Sequence, residues 1–108
     1  MIIIRPKSVE ELKKIMEEAR KEGKFVYISA YPCAECEAFD ALLEVMFSPE
    51  ELSRIIKIDT PNDDDIIEYI VDGLGVNGAP SVIAPDGDII DDFDVYEIAK
   101  KVKVKMSG

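Results

Sequence analysis

The chain has 108 residues, with 23 acidic and 13 basic side chains, a formal net charge of −10, two cysteines and no histidine. A chain of this length usually forms one domain around one core, so we expect a single domain over residues 1–108. The absence of histidine excludes Ser-His and Cys-His nucleophile pairs and His-ligated zinc. The acidity disfavours nucleic acid and membrane surfaces as partners, and no apolar run approaches the roughly 18 residues of a membrane-spanning helix.

The first half of the chain predicts alternating strands and helices. Short apolar runs of strand-like composition occupy residues 2–4, 25–28 and 55–58. A helix is expected from Ser8 to Gly23, and a short helical turn from Ser48. Between them, apolar residues recur at helical spacing and predict a helix that begins at the cysteine pair: Ala34, Ala38, Phe39, Leu42, Leu43 and Met46.

The second half predicts a helix, a β-hairpin and a final helix. Asn62 is expected to cap the first helix, whose acidic first turn suits the positive end of the helix dipole. Residues 81–84 and 89–90 are expected to pair across a tight turn, and the last helix runs from Asp94 to about Val102. The order β-α-β-α-β-α-β-β-α predicts an α/β fold in which helices flank a mixed sheet of four to five strands.

The N-terminus and the composition indicate the compartment. Met1–Ile4 is apolar and precedes the basic Arg5, which is the reverse of a secretory signal, so we expect a cytoplasmic protein. Abundant isoleucine, glutamate and lysine, without any glutamine, is typical of thermophiles. Intracellular proteins of hyperthermophiles contain structural disulfides, so a structural role for the two cysteines stays open.

Cys33 and Cys36 form a Cys-x-x-Cys motif in the first turn of a predicted helix that follows a strand. Free backbone N–H groups and the helix dipole favour a thiolate at Cys33, and such positions lower the thiol pKa from about 8.5 to roughly 3.5–7.5. Cys36 lies one turn deeper, against the apolar face. The pattern therefore predicts thiol-disulfide exchange in which Cys33 attacks and Cys36 resolves the mixed disulfide.

Metal centres fit this pair of cysteines less well. A structural zinc site needs four ligands, so two cysteines without histidine would require a centre shared by two chains. An iron–sulfur cluster meets the same shortage of ligands. We therefore expect no metal and no cofactor.

The segment Phe25–Cys36, together with Gly78-Ala79-Pro80-Ser81 further along the chain, resembles the thioredoxin superfamily over nearly the whole length. Phe47-Ser48-Pro49 and the strand that ends at Asp59 are most similar to the redox-active domains of thiol:disulfide interchange proteins. The resemblance implies a thioredoxin fold. It also implies that Pro80 is cis and lies against the cysteines, and that the backbone of Ala79 pairs with an extended substrate peptide.

Several positions depart from the family pattern. Pro32 replaces the usual tryptophan before the first cysteine, and Tyr31 is expected to supply aromatic surface for substrates. Glu35 lies between the cysteines and Glu37 follows the second. Both carboxylates oppose the thiolate of Cys33, which favours a reducing or exchange role over a dedicated oxidase.

The proton acceptor of the resolving cysteine is also changed. The resemblance implies a buried aspartate in the strand before the site, but Tyr27 occupies that position, so the usual relay is absent. Lys57 falls near the position where the family has a buried lysine. It either has a local electrostatic role or is a solvated lysine at the end of the strand. Asp40 lies one turn beyond Cys36, and we expect it to be exposed because Phe39 and Leu43 claim the apolar face.

The sequence therefore predicts a thiol-disulfide oxidoreductase that acts on disulfides in proteins or small molecules and is recharged by an upstream electron donor. We expect a monomer whose acidic block, from Asp59 to Glu97, selects against acidic substrates. The alternative is a non-catalytic thioredoxin-like binding module in which a Cys33–Cys36 disulfide is structural and the acidic face docks a basic partner.

Overall fold

The fold is built on a mixed sheet of five strands in the order β1-β3-β2-β4-β5, in a computed structural model that describes all 108 residues. The strands are β1 (Ile2–Ile4), β2 (Phe25–Ser29), β3 (Ile55–Asp59), β4 (Ser81–Ile83) and β5 (Ile89–Ile90). Strands β1, β3 and β2 run parallel to one another. Strand β4 pairs antiparallel with β2, and β5 pairs antiparallel with β4. The predicted α/β architecture and its order of elements are confirmed.

Five α-helices surround the sheet: α1 (Val9–Glu22), α2 (Ala34–Met46), α3 (Pro49–Leu52), α4 (Asp64–Glu68) and α5 (Val95–Ser107). One π-helical turn, Tyr69–Gly73, continues α4. Gly23 ends α1 as expected, in the left-handed region at φ 70°. None of the helices has the length and apolar character needed to cross a membrane.

Two helix boundaries differ from the sequence prediction. The cap of α4 is Asp63 rather than Asn62, because the Asp63 carboxylate accepts the backbone N–H of Ile66 at 3.1 Å. Helix α5 continues to Ser107, past the predicted end at Val102. Its apolar face extends to Met106, which packs against the core, so burial maintains the last turns.

The side chains of β2 alternate between two cores, one on each face of the sheet. Phe25 and Tyr27 point towards α2 and α5, and Val26 and Ile28 point towards α1 and α4. All five residues of β2 are buried, as a strand covered on both faces requires. Because β2 ends at Ser29 and α2 begins at Ala34, the first turn of α2 lies at the carboxyl end of β2.

The register of β4 brings a second loop to the same end of the sheet. Strand β4 runs antiparallel to β2, and Ser81 at its start pairs with Ile28 near the end of β2. The loop that precedes Ser81 therefore lies beside the first turn of α2. Two segments far apart in the sequence meet there: the cysteine pair and the segment around Pro80.

Candidate active site

Cys33 and Cys36 are joined by a disulfide at the start of α2. Cys33 is the N-cap residue of the helix, and its Sγ accepts the backbone N–H of Cys36 at 3.0 Å. Cys33 is half-buried, whereas Cys36 is only 3% exposed. The outer sulfur is thus reachable and faces a backbone donor, and the inner sulfur is shielded, as the sequence predicted.

The loop before β4 lies directly against the disulfide. The carbonyl oxygen of Ala79 is 3.8 Å from Cys33 Sγ, and the peptide bond between Ala79 and Pro80 is cis, which confirms the isomer implied by the resemblance. Ser81 holds the loop, because its hydroxyl donates to the carbonyl oxygen of Gly78 at 2.7 Å. A second cis bond, which the sequence did not predict, joins Tyr31 to Pro32.

Two open grooves meet at Ala79. The first groove is acidic, and its lining includes these residues: Glu35, Asn77, Gly78, Pro80, Asp91 and Asp92. Phe93 also lines this groove, and its side chain is fully exposed. The second is largely apolar, and its lining includes these residues: Tyr31, Pro32, Thr60, Ile67, Val71 and Val76. A chain bound at Ala79 would therefore meet carboxylates on one side and apolar side chains on the other.

A polar network lies behind the cysteine pair, on the Tyr27 face of the sheet. The fully buried Tyr27 hydroxyl donates to Asp40 Oδ1 at 2.9 Å and lies 3.2 Å from the carbonyl oxygen of Cys36. Lys57 on β3 donates to Asp40 Oδ2 at 2.7 Å, and its side chain is only 17% exposed. The network joins β2, β3 and α2 immediately beneath Cys36.

The environment of Tyr27 keeps its hydroxyl protonated. Burial is the main cause that raises the pKa of Tyr27 far above its ordinary value, and the hydrogen bond to Asp40 and the charge of that carboxylate act in the same direction. Within this network the hydroxyl is therefore a hydrogen-bond donor.

The expectation that Asp40 is exposed is wrong. Its side chain is 35% exposed and is held by two hydrogen bonds, because the polar ends of Tyr27 and Lys57 converge on the edge of the apolar face that Phe39 and Leu43 occupy. Lys57 is not a solvated strand end, because its side chain is only 17% exposed and is paired with Asp40. The buried tyrosine was the available signal, since a phenol inside a core needs an acceptor.

The other predicted site residues lie at the mouth of the site. Tyr31 is 84% exposed, and Pro32 is also exposed next to Cys33. Glu35 projects into the acidic groove. Glu37 is exposed on α2, where its side chain makes no hydrogen bond or ion pair. Pro80 is buried and Ala79 half-buried. Glu37 lines neither groove, but it is close to Cys33, because its backbone N–H donates to the Cys33 carbonyl oxygen at 3.2 Å.

Comparison with known proteins finds similarity in structure only. No protein-family model matches the sequence, and no curated protein matches it either. Thioredoxin O1 from Arabidopsis thaliana, in its oxidised state, aligns with a TM-score of 0.65 at 16% identity, over 96% of this chain and 97% of that one. Oxidised glutaredoxin 2 from Chlamydomonas reinhardtii has a TM-score of 0.56 at 15% identity, over 88% and 84% of the two chains.

A disulfide isomerase from Xylella fastidiosa Temecula1 also aligns, with a TM-score of 0.56 at 17% identity, over 95% of this chain and 93% of that one. At such identities the likeness establishes the fold. The chain therefore has the thioredoxin fold, with a Cys-x-x-Cys disulfide at the start of α2.

Proposed function

We propose that this chain is a thiol-disulfide oxidoreductase in which Cys33 is the nucleophile and Cys36 the resolving cysteine. The observation that carries the proposal is the asymmetry of the pair: Cys33 is half-buried at the mouth of the site, whereas Cys36 is 3% exposed. A structural disulfide needs no such asymmetry. A catalytic disulfide does, because a substrate must reach one sulfur while the other stays protected until it resolves the mixed disulfide.

The first step is attack by Cys33 on a substrate disulfide. The backbone N–H of Cys36, 3.0 Å from Cys33 Sγ, and the N-terminal end of the 13-residue helix α2 stabilise the thiolate. Cys33 Sγ forms a bond to one substrate sulfur, and the bond between the two substrate sulfurs breaks. The expelled sulfur leaves as a thiolate and takes up a proton.

The second step releases the product. The Cys36 thiol loses its proton, and its sulfur attacks Cys33 Sγ to form the intramolecular disulfide that the structure contains. The mixed disulfide breaks, and the second substrate sulfur leaves as a thiol. The substrate gains two electrons, and the cysteine pair loses two.

Substrate recognition is assigned to the loop around Ala79 and to the two grooves that meet there. The backbone of Ala79 is expected to pair with an extended segment next to the substrate cysteine, while Pro80 keeps the loop against Cys33. Tyr31 and Pro32 extend the apolar side of the site. Protein disulfides suit such an open site better than one enclosed small molecule.

The charge near Cys33 favours a reducing or exchange role. Glu35 and Glu37 are exposed carboxylates in the first turn of α2, and both oppose a negative charge on Cys33. We therefore propose that the physiological partners are disulfide-containing proteins and an upstream electron donor that returns the pair to the dithiol. A reducing compartment such as the cytoplasm fits this direction of flow.

Turnover of a protein disulfide with dithiothreitol tests the proposal. The chain is expected to accelerate the reduction, and Cys33→Ser is expected to abolish that acceleration. Selective alkylation of Cys33 in the reduced protein at neutral pH would identify the nucleophile. Full turnover by the Cys33→Ser variant would refute the mechanism, and a chain that accelerates nothing would favour the binding module with a structural disulfide.

A further inference from the structure

We infer that Asp40 accepts the proton that Cys36 loses when the mixed disulfide is resolved, and that Tyr27 and Lys57 position its carboxylate. This inference rests on the proposed function, because it concerns the second step of that reaction. That step needs a proton acceptor near Cys36, since only the thiolate attacks a disulfide. The chain has no histidine that could serve.

The placement of Asp40 satisfies this requirement. Asp40 follows Cys36 by four residues on α2, a spacing that puts the Cβ atoms about 5–6 Å apart on one side of a helix. Side chains that start from such positions can come within hydrogen-bond reach of each other, directly or through one water molecule, as proton transfer requires. The Tyr27 hydroxyl bridges the two residues, because it contacts both the Asp40 carboxylate and the Cys36 carbonyl oxygen.

The network accommodates Asp40 in both protonation states. When Asp40 is ionised, the single phenolic proton of Tyr27 points to Oδ1, the nearer acceptor at 2.9 Å. When Asp40 is protonated, the carboxyl can donate to Tyr27, and the phenolic proton can turn to the Cys36 carbonyl oxygen at 3.2 Å. No polar group of this bridge loses its partner, so a proton can be taken up without the usual penalty for a buried, unsatisfied group.

Two groups from neighbouring strands face the Asp40 carboxylate. Tyr27 comes from β2 and keeps its own proton, because burial and the Asp40 charge raise its pKa. Lys57 comes from β3 and pairs with Oδ2 at 2.7 Å. The proton therefore passes between Cys36 and Asp40. It returns to solution, or to the thiolate released from the substrate, after Cys36 Sγ has bonded to Cys33 Sγ.

Stopped-flow reaction of the reduced chain with dithiobis(nitrobenzoate), also called dithionitrobenzoate, separates the two steps, because this reagent is a disulfide of two coloured thiolates. The first coloured thiolate is released when Cys33 attacks the reagent, and the second when Cys36 attacks the resulting mixed disulfide. The first phase reports the proposed function, and the second reports this inference. The same traces thus compare both steps in one sample.

Asp40→Asn is expected to slow the second phase by about 100-fold at neutral pH, because a general base commonly contributes at least about that factor. The first phase is expected to change by less than about twofold, which also shows that the variant is folded. The matched control is Glu44→Gln, which neutralises an exposed carboxylate one turn further along the same helix and should leave both phases unchanged.

The positioning residues are tested by the ratio of the two phases and by conservative rescue. Lys57→Met should slow the second phase but not the first, because it removes the donor to Asp40 Oδ2, and Lys57→Arg, which keeps a charged donor, should restore the second phase. Tyr27→Phe should likewise slow only the second phase, since it removes the donor to Asp40 Oδ1. A merely structural role would slow both phases together.

The outcomes separate the two proposals. An unchanged second phase in Asp40→Asn, or equal slowing of both phases, overturns the assignment of Asp40 and leaves the oxidoreductase intact. Absence of a fast first phase in the unmodified chain overturns the proposed function and this inference with it. Slowing confined to the second phase supports both.

Discussion

Replacing Tyr27 with phenylalanine removes one buried hydroxyl while keeping the aromatic ring, which packs edge-to-face on Phe39 at 4.9 Å between ring centroids. The hydroxyl donates to the Asp40 carboxylate at 2.9 Å. Hydrogen bonds to charged groups contribute about 1.5–3 kcal/mol to stability. Since the Asp40 side chain is 35% exposed, water can replace the lost donor. We therefore expect a loss near the lower end, about 1.5–2 kcal/mol.

The size of this loss should depend on pH in a defined direction. Burial and the adjacent Asp40 carboxylate raise the pKa of Tyr27 in the folded chain above the value of about 10 in the unfolded chain. Above about pH 10, the unfolded chain releases a proton that the folded chain retains, so the contribution of Tyr27 to stability falls as pH rises. The slope is about 1.4 kcal/mol per pH unit. The difference in stability between the unmodified chain and Tyr27→Phe should thus vanish within about one to two pH units above pH 10.

Urea unfolding of the oxidised proteins, from neutral pH to about pH 11, measures both effects as a shift of the midpoint at constant slope. Tyr96→Phe is the control, because the same change at a half-exposed position should alter stability by less than about 0.5 kcal/mol. A difference for Tyr27→Phe that stays constant into alkaline solution would refute the account. So would a loss no larger than that of the control.

Three further substitutions test the site and the packing around it. Cys36→Ser leaves the nucleophile without its resolving partner, so a mixed disulfide between Cys33 and a protein substrate should accumulate on a non-reducing gel; its absence would contradict the assigned roles. Gly23→Ala should lower the free energy of unfolding by about 1–2 kcal/mol, because φ is 70° there and an added Cβ meets nothing within 4 Å, so the cost comes from the backbone alone. Phe39→Ala should cost about 3–5 kcal/mol in urea unfolding, since the ring is fully buried between α2 and the sheet; a loss below about 1 kcal/mol would show that this core collapses freely.

The sequence predicts the fold well because its local signals agree with one another. The apolar run in β2 is short and continuous, which is typical of a strand buried on both faces, and the structure shows this arrangement. A strand followed directly by a cysteine pair and a helical apolar pattern then places Cys33 at a helix start. Hairpin turn residues after the fourth strand account for the antiparallel edge.

The position of Asp40 could not be predicted in the same way. It lies at the border between the apolar and the exposed side of α2, where helical spacing alone permits either environment. Its environment is decided by a contact with Lys57, which lies on strand β3, 17 residues further along the chain. The boundary of α5 has a similar origin, because packing of Met106 against the core, rather than a local stop signal, extends the helix.

The carboxylates around the cysteine pair are expected to act in opposite senses on the two steps. Glu35 lies at the exposed mouth, where its charge opposes the thiolate of Cys33. Exposed charge interactions are worth about 0.2–1 kcal/mol, so Glu35→Gln should accelerate the first phase with dithionitrobenzoate by up to about fivefold and leave the second unchanged. High salt should mimic that effect, because it screens exposed charges. Asp40 lies behind the pair, so its neutral variant should slow only the second phase. Acceleration of both phases by Glu35→Gln would show that the charges at the mouth and behind the pair are not separable, and would contradict this division.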